Sequence, residues 1–95
     1  MLRIGTACGS GLGSSFMVQM NIEKLLQQKG IDKSKVKVDH YDLGGASPDG
    51  ADVWIVGKDL ERSAQHLKNL KVLKSIIDMK ELEVLVDQII EENNL

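Results

Sequence analysis

The sequence predicts an α/β fold, a three-layer sandwich in which helices flank a four-stranded, mainly parallel sheet. Three observations support this prediction. Short apolar runs alternate with segments of helical periodicity, small-residue turns separate them, and residues 53–56 are apolar enough to form a strand that is covered on both faces. Alternating strands and helices build βαβ units with right-handed crossovers, which place helices against the faces of a parallel sheet.

The first strand and the first helix are predicted near the start of the chain. The apolar run Leu2–Ala7 stops abruptly at a glycine-rich turn, as a buried strand does at its end. Residues 12–29 are expected to form a helix of about four turns, and Gly30 supplies its C-terminal stop. The apolar residues that carry the helical spacing are Met17, Val18, Ile22, Leu25 and Leu26.

Two further strands and a loop are predicted in the middle of the chain. Apolar and polar residues alternate over Val36–Tyr41, which indicates a strand. Residues 42–50 contain three glycines and the only proline, so we expect a surface loop there. Residues 53–56 form the central strand of the prediction, with Trp54 in the core.

The last third of the chain predicts two helical segments and a weaker strand. Residues 60–67 are expected to be helical with Asp59 as the cap, and a fourth strand is expected within residues 72–77. Asp78 and Glu81 have the spacing of a helix capping pair. A closing helix follows, with this apolar stripe: Leu82, Leu85, Val86, Ile89 and Ile90.

Composition limits the classes of function. The 95 residues, 42% of them hydrophobic, suffice for one compact domain, and we expect residues 1–95 to form a single domain. No apolar stretch approaches the ~20 residues that cross a bilayer, so we expect a cytoplasmic protein without membrane insertion. A net charge of −2 and one residue each of Trp, Tyr and Phe argue against nucleic-acid binding.

Cys8 is the candidate nucleophile. As the only cysteine, it can form neither an internal disulfide nor a zinc site by itself. The loop after it is rich in glycine and serine, whose backbone N–H groups can surround an anion together with the N-terminus of the first helix. Such surroundings lower the pKa of a thiol from about 8.5. The candidate phosphate-binding residues are Gly9, Ser10, Gly11, Leu12, Gly13, Ser14 and Ser15.

The loop alone leaves three functions open. A phosphatase loop of the C-x5-R kind needs arginine at position 14, where this chain has Ser14, and no charged residue occurs from Cys8 to Ile22. Without that guanidinium, holding and passing on a phosphoryl group is favoured over hydrolysing it. A hydrolase similar to low-molecular-weight phosphatases and a module that binds an anion or senses oxidants remain the alternatives. The glycine spacing departs from nucleotide-binding loops.

Five other side chains were weighed for a functional role on weaker grounds. Lys58, just after the third strand, is a candidate for diffuse positive charge at the loop, and Phe16 and Met17 are candidates for partner docking. His40 and His66 are interpreted as exposed or structurally satisfied histidines and not as phosphorylation sites or bases.

The stretch from Ile4 to about Leu26, which contains Cys8-Gly9-Ser10-Gly11-Leu12-Gly13-Ser14-Ser15-Phe16-Met17, resembles the IIB component of the bacterial phosphotransferase system (PTS) for sugar uptake. The likeness is greatest to the ascorbate-type branch of the lactose/cellobiose-like IIB superfamily. It implies a Rossmann-like fold, similar in topology to low-molecular-weight phosphatases. It also implies that a IIA protein phosphorylated on histidine donates to Cys8, which donates to a sugar bound by the membrane transporter IIC. No cofactor and no metal are implied.

Overall fold

The computed structural model describes residues 2–7, 12–41, 46–67, 69–75 and 78–95. Within these ranges, four strands form one sheet in the order β2-β1-β3-β4, and every pairing is parallel, as predicted. The helices and strands are β1 (Leu2–Ala7), α1 (Leu12–Gln28), β2 (Val36–Tyr41), β3 (Val53–Gly57), β4 (Leu70–Leu73) and α2 (Met79–Glu92). Short 3-10 turns occur at Pro48–Gly50, Lys58–Leu60 and Arg62–Ala64.

One face of the sheet is covered by both α-helices. The strands contribute alternate residues to this face, because successive side chains of a strand point to opposite sides. In β1 it is Ile4 that packs here, in register with Val38 of β2 and Val53 of β3. The helices contribute the residues of their predicted apolar stripes, and those buried in this core are Val18, Ile22, Leu25, Leu26, Leu82, Val86 and Ile89.

The opposite face is built around Trp54, which is fully buried as predicted. Its ring lies against Gly5 of β1, where an added Cβ would stand only 2.6 Å from a ring carbon. The Tyr41 ring packs against the indole with centroids 5.0 Å apart, and its hydroxyl donates to the Gly50 carbonyl at 3.2 Å. Three alanines and one leucine from the 3-10 turns and their neighbouring segments complete this layer, and all four are buried in it: Ala46, Ala51, Ala64 and Leu67.

α1 ends at a glycine in the predicted place. Gly30 has φ +77°, a left-handed conformation that glycine adopts without steric cost. The Gly30 N–H donates to the Gln27 carbonyl and the Ile31 N–H donates to the Leu26 carbonyl, which together form a Schellman motif. The half-buried Ile31 side chain packs against the same core as Leu26.

Asp78 caps α2 as predicted, but Glu81 accepts from a residue before Asp78 and not from Asp78 itself. The Asp78 carboxylate accepts hydrogen bonds from the N–H groups of Lys80 and Glu81 at 3.0 and 3.1 Å. The Glu81 carboxylate accepts from the N–H of Ser75 at 3.1 Å and not from the N–H of Asp78. Glu81 therefore links the first turn of α2 to Ser75, which follows β4.

Lys29, which follows the C-terminal end of α1, links this helix to the middle of α2. Its Nζ lies 2.7 Å from Asp87 Oδ1 and 3.2 Å from Glu83 Oε2. The hydrogen bond to Asp87 raises the pKa of Lys29 above its ordinary value, against desolvation, which lowers it. Because the folded-state pKa is raised, the contribution of this link to stability is present at neutral pH and is lost as the pH rises through that pKa.

The predicted helix over residues 60–67 is wrong, because this segment forms two successive 3-10 turns. The hydrogen bonds of the Glu61 carbonyl explain why the segment is not α-helical. It accepts from the Ala64 N–H, three residues on, and from the Gln65 side-chain amide at 2.8 Å. In an α-helix it would accept from the Gln65 backbone N–H. Asp59 was expected to cap this helix, but the described caps, Gly57 and Glu61, make no side-chain capping bond.

Two other boundaries also differ from the prediction. The fourth strand covers Leu70–Leu73 and not residues 72–77, because Leu70 pairs with Trp54 and Leu73 with Gly57, the last residue of β3. The predicted surface loop over residues 42–50 contains the buried Ala46 and the 3-10 turn Pro48–Gly50, and residues 42–45 lie outside the described residues.

We expect Gly5→Ala to destabilise the protein by about 2 kcal/mol, because the new methyl group has to displace the Trp54 ring in a filled core. The midpoint of urea unfolding, followed by Trp54 fluorescence, measures the loss. Gly50→Ala is the matched control: its Cβ would meet the same ring at 3.3 Å, and the expected loss is smaller. Wild-type stability in Gly5→Ala would contradict this account of the Trp54 contact.

Candidate functional site

The order of the strands marks one edge of the sheet for ligand binding. All four parallel strands end at the same edge. From β1 the chain passes through α1 to β2 on one side, whereas β3 lies on the other side of β1. In open α/β sheets, ligands bind in the crevice at such a switch point, beyond the carboxyl ends of the strands. Among the described residues, the end of β1 at Ala7, the start of α1 at Leu12 and the turn after β3 lie at this edge.

The predicted site residues belong to the segment after β1. This strand is central and reaches the edge at Ala7, which is fully buried, and α1 begins at Leu12. The helix N-terminus, with its unpaired N–H groups, therefore lies at the crevice, as predicted. Cys8, Gly9, Ser10 and Gly11 lie outside the described residues. The backbone of Leu12, Gly13, Ser14 and Ser15 forms the first turn of α1, and their side chains also lie outside the description.

Charge is sparse on the α1 side of the crevice. The first turn of α1 has no acidic residue, and the first charged residue of the helix is Glu23. On the β3 side, Lys58 directly follows the last residue of the strand and is exposed. The fold therefore brings Lys58 to the edge where its positive charge was expected, directly after the strand that pairs with β1.

His40, at the same end of β2, takes part in a network that the sequence did not indicate. Its Nδ1–H donates to the side-chain oxygen of Gln19 in α1. The amide nitrogen of Gln19 donates in turn to the Val38 carbonyl at 2.8 Å. The imidazole also meets the Phe16 ring edge-on, with centroids 5.1 Å apart and an interplanar angle of 87°. His40 is half-buried, and one of its nitrogens is satisfied.

The other side chains considered for function lie in different surroundings. His66 is exposed in the turn after Ala64, beside the Trp54 layer and away from α1. Phe16 is 47% exposed, in line with the expected docking surface, and Met20, one turn further along α1, is 53% exposed. Met17 is half-buried, so it contributes less to that surface than expected.

A groove of about 430 Å³ runs between α1 and the outer edge of β2. Its apolar lining includes Leu26, Ile31 and Val36, and Glu23, Asp32 and Lys33 are among the charged residues that line it. The backbone and side-chain groups of Ser34 hold the pKa of Asp32 below its ordinary value. Most of the groove lies toward the amino end of β2, away from the crevice, so we assign it no catalytic role.

The described part of the chain contains no group of three or more histidine, cysteine, aspartate or glutamate side chains placed to hold a metal ion. Among the described residues, no helix has the length and apolar character that a membrane crossing requires.

Comparison with known proteins gives one family. The family model described as "PTS system, Lactose/Cellobiose specific IIB subunit" matches residues 3–92. The match includes the predicted nucleophile, the glycine-rich loop and all the helices and strands of the fold. No curated protein matches the sequence.

Among solved structures, the chain is similar to the lactose-specific IIB component domain of the phosphoenolpyruvate:carbohydrate phosphotransferase system from Streptococcus pneumoniae. The two share 17% sequence identity with a TM-score of 0.65, and the similarity covers 95% of each chain. At this level of identity the similarity shows the fold, and it agrees with the parallel four-stranded sheet described above.

Proposed function

Since the chain belongs to the lactose/cellobiose-specific IIB family of the PTS, we propose that its phosphoryl group is carried on Cys8. The family consists of sugar phosphotransferases that act in sugar uptake, and membership implies IIA and IIC partners. In the proposed reaction, a phosphohistidine of the IIA partner is the donor. A sugar held by the membrane transporter IIC is the final acceptor, and residues 1–95 act as a single carrier domain.

The observation that carries this proposal is the place of the N-terminus of α1. The helix follows the buried end of β1, an inner strand, at the switch point of the sheet, and Cys8 precedes it in the sequence. Helix N-termini attract anions through their free N–H groups and the helix dipole. A thiolate and a phosphoryl group are both anions, so the same donors favour the nucleophile and its product.

Two transfers make up the proposed relay. First, the Cys8 thiolate attacks phosphorus, the S–P bond forms, and the N–P bond of the phosphohistidine breaks with its electron pair returning to the imidazole of IIA. Second, a sugar hydroxyl attacks the same phosphorus, its proton passes to solvent, and the S–P bond breaks to restore the thiolate. In-line transfer of this kind depends on positioning and charge stabilisation, for which we propose the backbone N–H groups of residues 9–15.

The charge pattern supports a carrier over a hydrolase. A phosphatase of the C-x5-R type clamps the transferring oxygens with an arginine, and Ser14 stands at that position. The first charged residue after Cys8 is Glu23. Phosphocysteine in such a loop is held by neutral donors, which favours a lifetime long enough to reach the next partner.

We propose ascorbate as the sugar. The support is the likeness of the stretch around Cys8 to the ascorbate-type branch, whereas the matching family model and the similar solved structure are described by lactose and cellobiose. A IIB domain meets its sugar in the complex with IIC, so its own surface need not contain a sugar pocket.

Cys8→Ala is expected to abolish phosphorylation by phosphoenolpyruvate, the two general PTS proteins and the cognate IIA. Peptide mass spectrometry of the wild-type protein is expected to place the phosphoryl group on Cys8. His40→Gln and His66→Gln are the controls and should still accept it. Label on either histidine that survives Cys8→Ala would show that the proposed mechanism is wrong.

We expect no catalytic turnover of p-nitrophenyl phosphate, because the loop lacks the arginine of cysteine phosphatases. Release of p-nitrophenol is followed by absorbance with wild-type protein and with Cys8→Ser at equal concentration. The two rates should agree with the rate in buffer. Multiple turnovers in the wild type that disappear in Cys8→Ser would favour the hydrolase instead.

Cells that carry the matched IIA and IIC should accumulate phosphorylated ascorbate only when this chain is also present. Uptake of labelled ascorbate measures this, and Cys8→Ala is the matched control. Lactose and cellobiose, supplied in parallel, are expected to give no uptake that depends on the chain. Dependence on the chain for either of these sugars, and not for ascorbate, would contradict the assignment of the sugar and leave the carrier role intact.

A further inference from the structure

The Gln19 amide fixes the protonation pattern of the His40 ring. Its nitrogen donates to the Val38 carbonyl at 2.8 Å, and a carbonyl can only accept, so the amide orientation is determined. The amide oxygen therefore faces His40 Nδ1, and this nitrogen must carry a hydrogen to donate to it. In the neutral ring, Nε2 is consequently the nitrogen without a hydrogen and the one that accepts a proton.

His40 Nε2 has no hydrogen-bond partner among the described residues. The side chain is half-buried, and its ring is held edge-on against Phe16. The ring is thus held through Nδ1 and through its contact with an aromatic neighbour, and its second nitrogen is left for a ligand or a proton.

Among the described residues, no charged side chain from the strands and helix around His40 faces its ring. From α1 it meets Phe16 and Gln19, and the nearest charge of that helix is Glu23, one turn further from the crevice. From β1 it is level with Thr6, which is uncharged. Its neighbours on β2, Asp39 and Tyr41, point to the other face of the sheet by strand alternation. Asp42 lies outside the described residues.

The position of His40 relates it to the predicted nucleophile. Thr6 and Ala7 pair with His40 and Tyr41, so His40 belongs to the strand beside the one that leads to Cys8. Adjacent strands lie about 4.8 Å apart. Phe16, which holds the imidazole, is in the second turn of the helix whose N-terminus borders the crevice. The only cation of this network is one that forms when Nε2 is protonated.

We propose that His40 is a proton-linked, charge-compensating residue of the carrier site, whose Nε2 takes up a proton when Cys8 is phosphorylated. This inference rests on the proposed function. Phosphorylation converts a thiolate with one negative charge into a phosphoryl group with about two near pH 7. The proton comes from solvent and returns to it when the phosphoryl group leaves for the sugar. Gln19 holds the ring in both states, because Nδ1 donates to it in both.

The coupling has a definite sign. A nearby anion favours imidazolium, so the pKa of His40 is expected to be higher in the phosphorylated protein. Linkage then requires that protonated His40 favours phospho-Cys8. A rise of about one unit makes the phosphorylation equilibrium about tenfold more favourable below the lower pKa, and this gain disappears as the pH rises through the higher one.

Nuclear magnetic resonance of protein with 15N-labelled histidine tests the inference in the wild-type chain. Neutral His40 is expected in the Nδ1–H form, and its pKa should rise by about one unit on phosphorylation of Cys8. His66, exposed and away from α1, is the internal control and should keep its pKa. Phosphorylated Cys8 with a His40 pKa that moves no more than that of His66 would overturn the inference alone. Failure of Cys8 to accept phosphate would overturn the proposed function as well.

The equilibrium with phosphorylated IIA gives a second readout. Between about pH 5.5 and pH 8.5, the phosphorylated fraction of the wild type should change relative to His40→Gln by a factor of about ten in the equilibrium constant. His66→Gln should follow the wild type. Gln19→Leu should return neutral His40 to a mixture of both tautomers in the NMR spectrum. Equal pH dependence in the wild type and His40→Gln would contradict the coupling.

Discussion

The contact of Trp54 with Gly5 is the constraint on which the centre of this structure depends. β1 lies between two parallel neighbours and is covered on both faces, so each of its positions must suit two layers. On the helical side Ile4 fills the core, and on the other side the missing side chain of Gly5 admits the indole. With one large ring in place, this layer needs no α-helix, because alanines, a few aliphatic side chains and short 3-10 turns cover the ring. The strand fixed in this way leads the chain to Cys8.

The chemistry proposed for Cys8 needs few charged groups, and the fold supplies few. Neutral donors at the start of α1 suit a group that has to be accepted and then released, since a fixed guanidinium would also stabilise transfer to water. His40 adds a charge that is present only when a proton is bound. A carrier with such a group can hold its cargo firmly in one protonation state and loosely in the other, without moving a loop or recruiting a metal.

The sequence predicted those parts of the fold whose periodicity reflects burial. α1, α2 and the first three strands lie where their apolar patterns predicted them, because a buried face requires apolar residues at regular intervals in the sequence. The error at residues 60–67 has a different origin: Ala64 and Leu67 are buried as expected, but the Gln65 side chain competes for the Glu61 carbonyl. His40 and Gln19 are 21 positions apart in the sequence, so no local sequence pattern could predict their contact. The loop predicted after β1 rests on residue type, and residues 8–11 lie outside the described residues, so its form stays a prediction.

Gln19 also affects how the free edge of the sheet can pair with strands of other molecules. β2 is an edge strand, and Lys35, just before it, turns its carbonyl toward β1 by accepting from the Leu2 N–H. By the alternation of parallel strands, the backbone groups of Val36 and Val38 then face outward. Such groups invite a strand from another chain. The Gln19 amide occupies the Val38 carbonyl. It thereby occupies one of the outward-facing acceptors of this edge, which makes the edge a poorer template for a strand from another molecule.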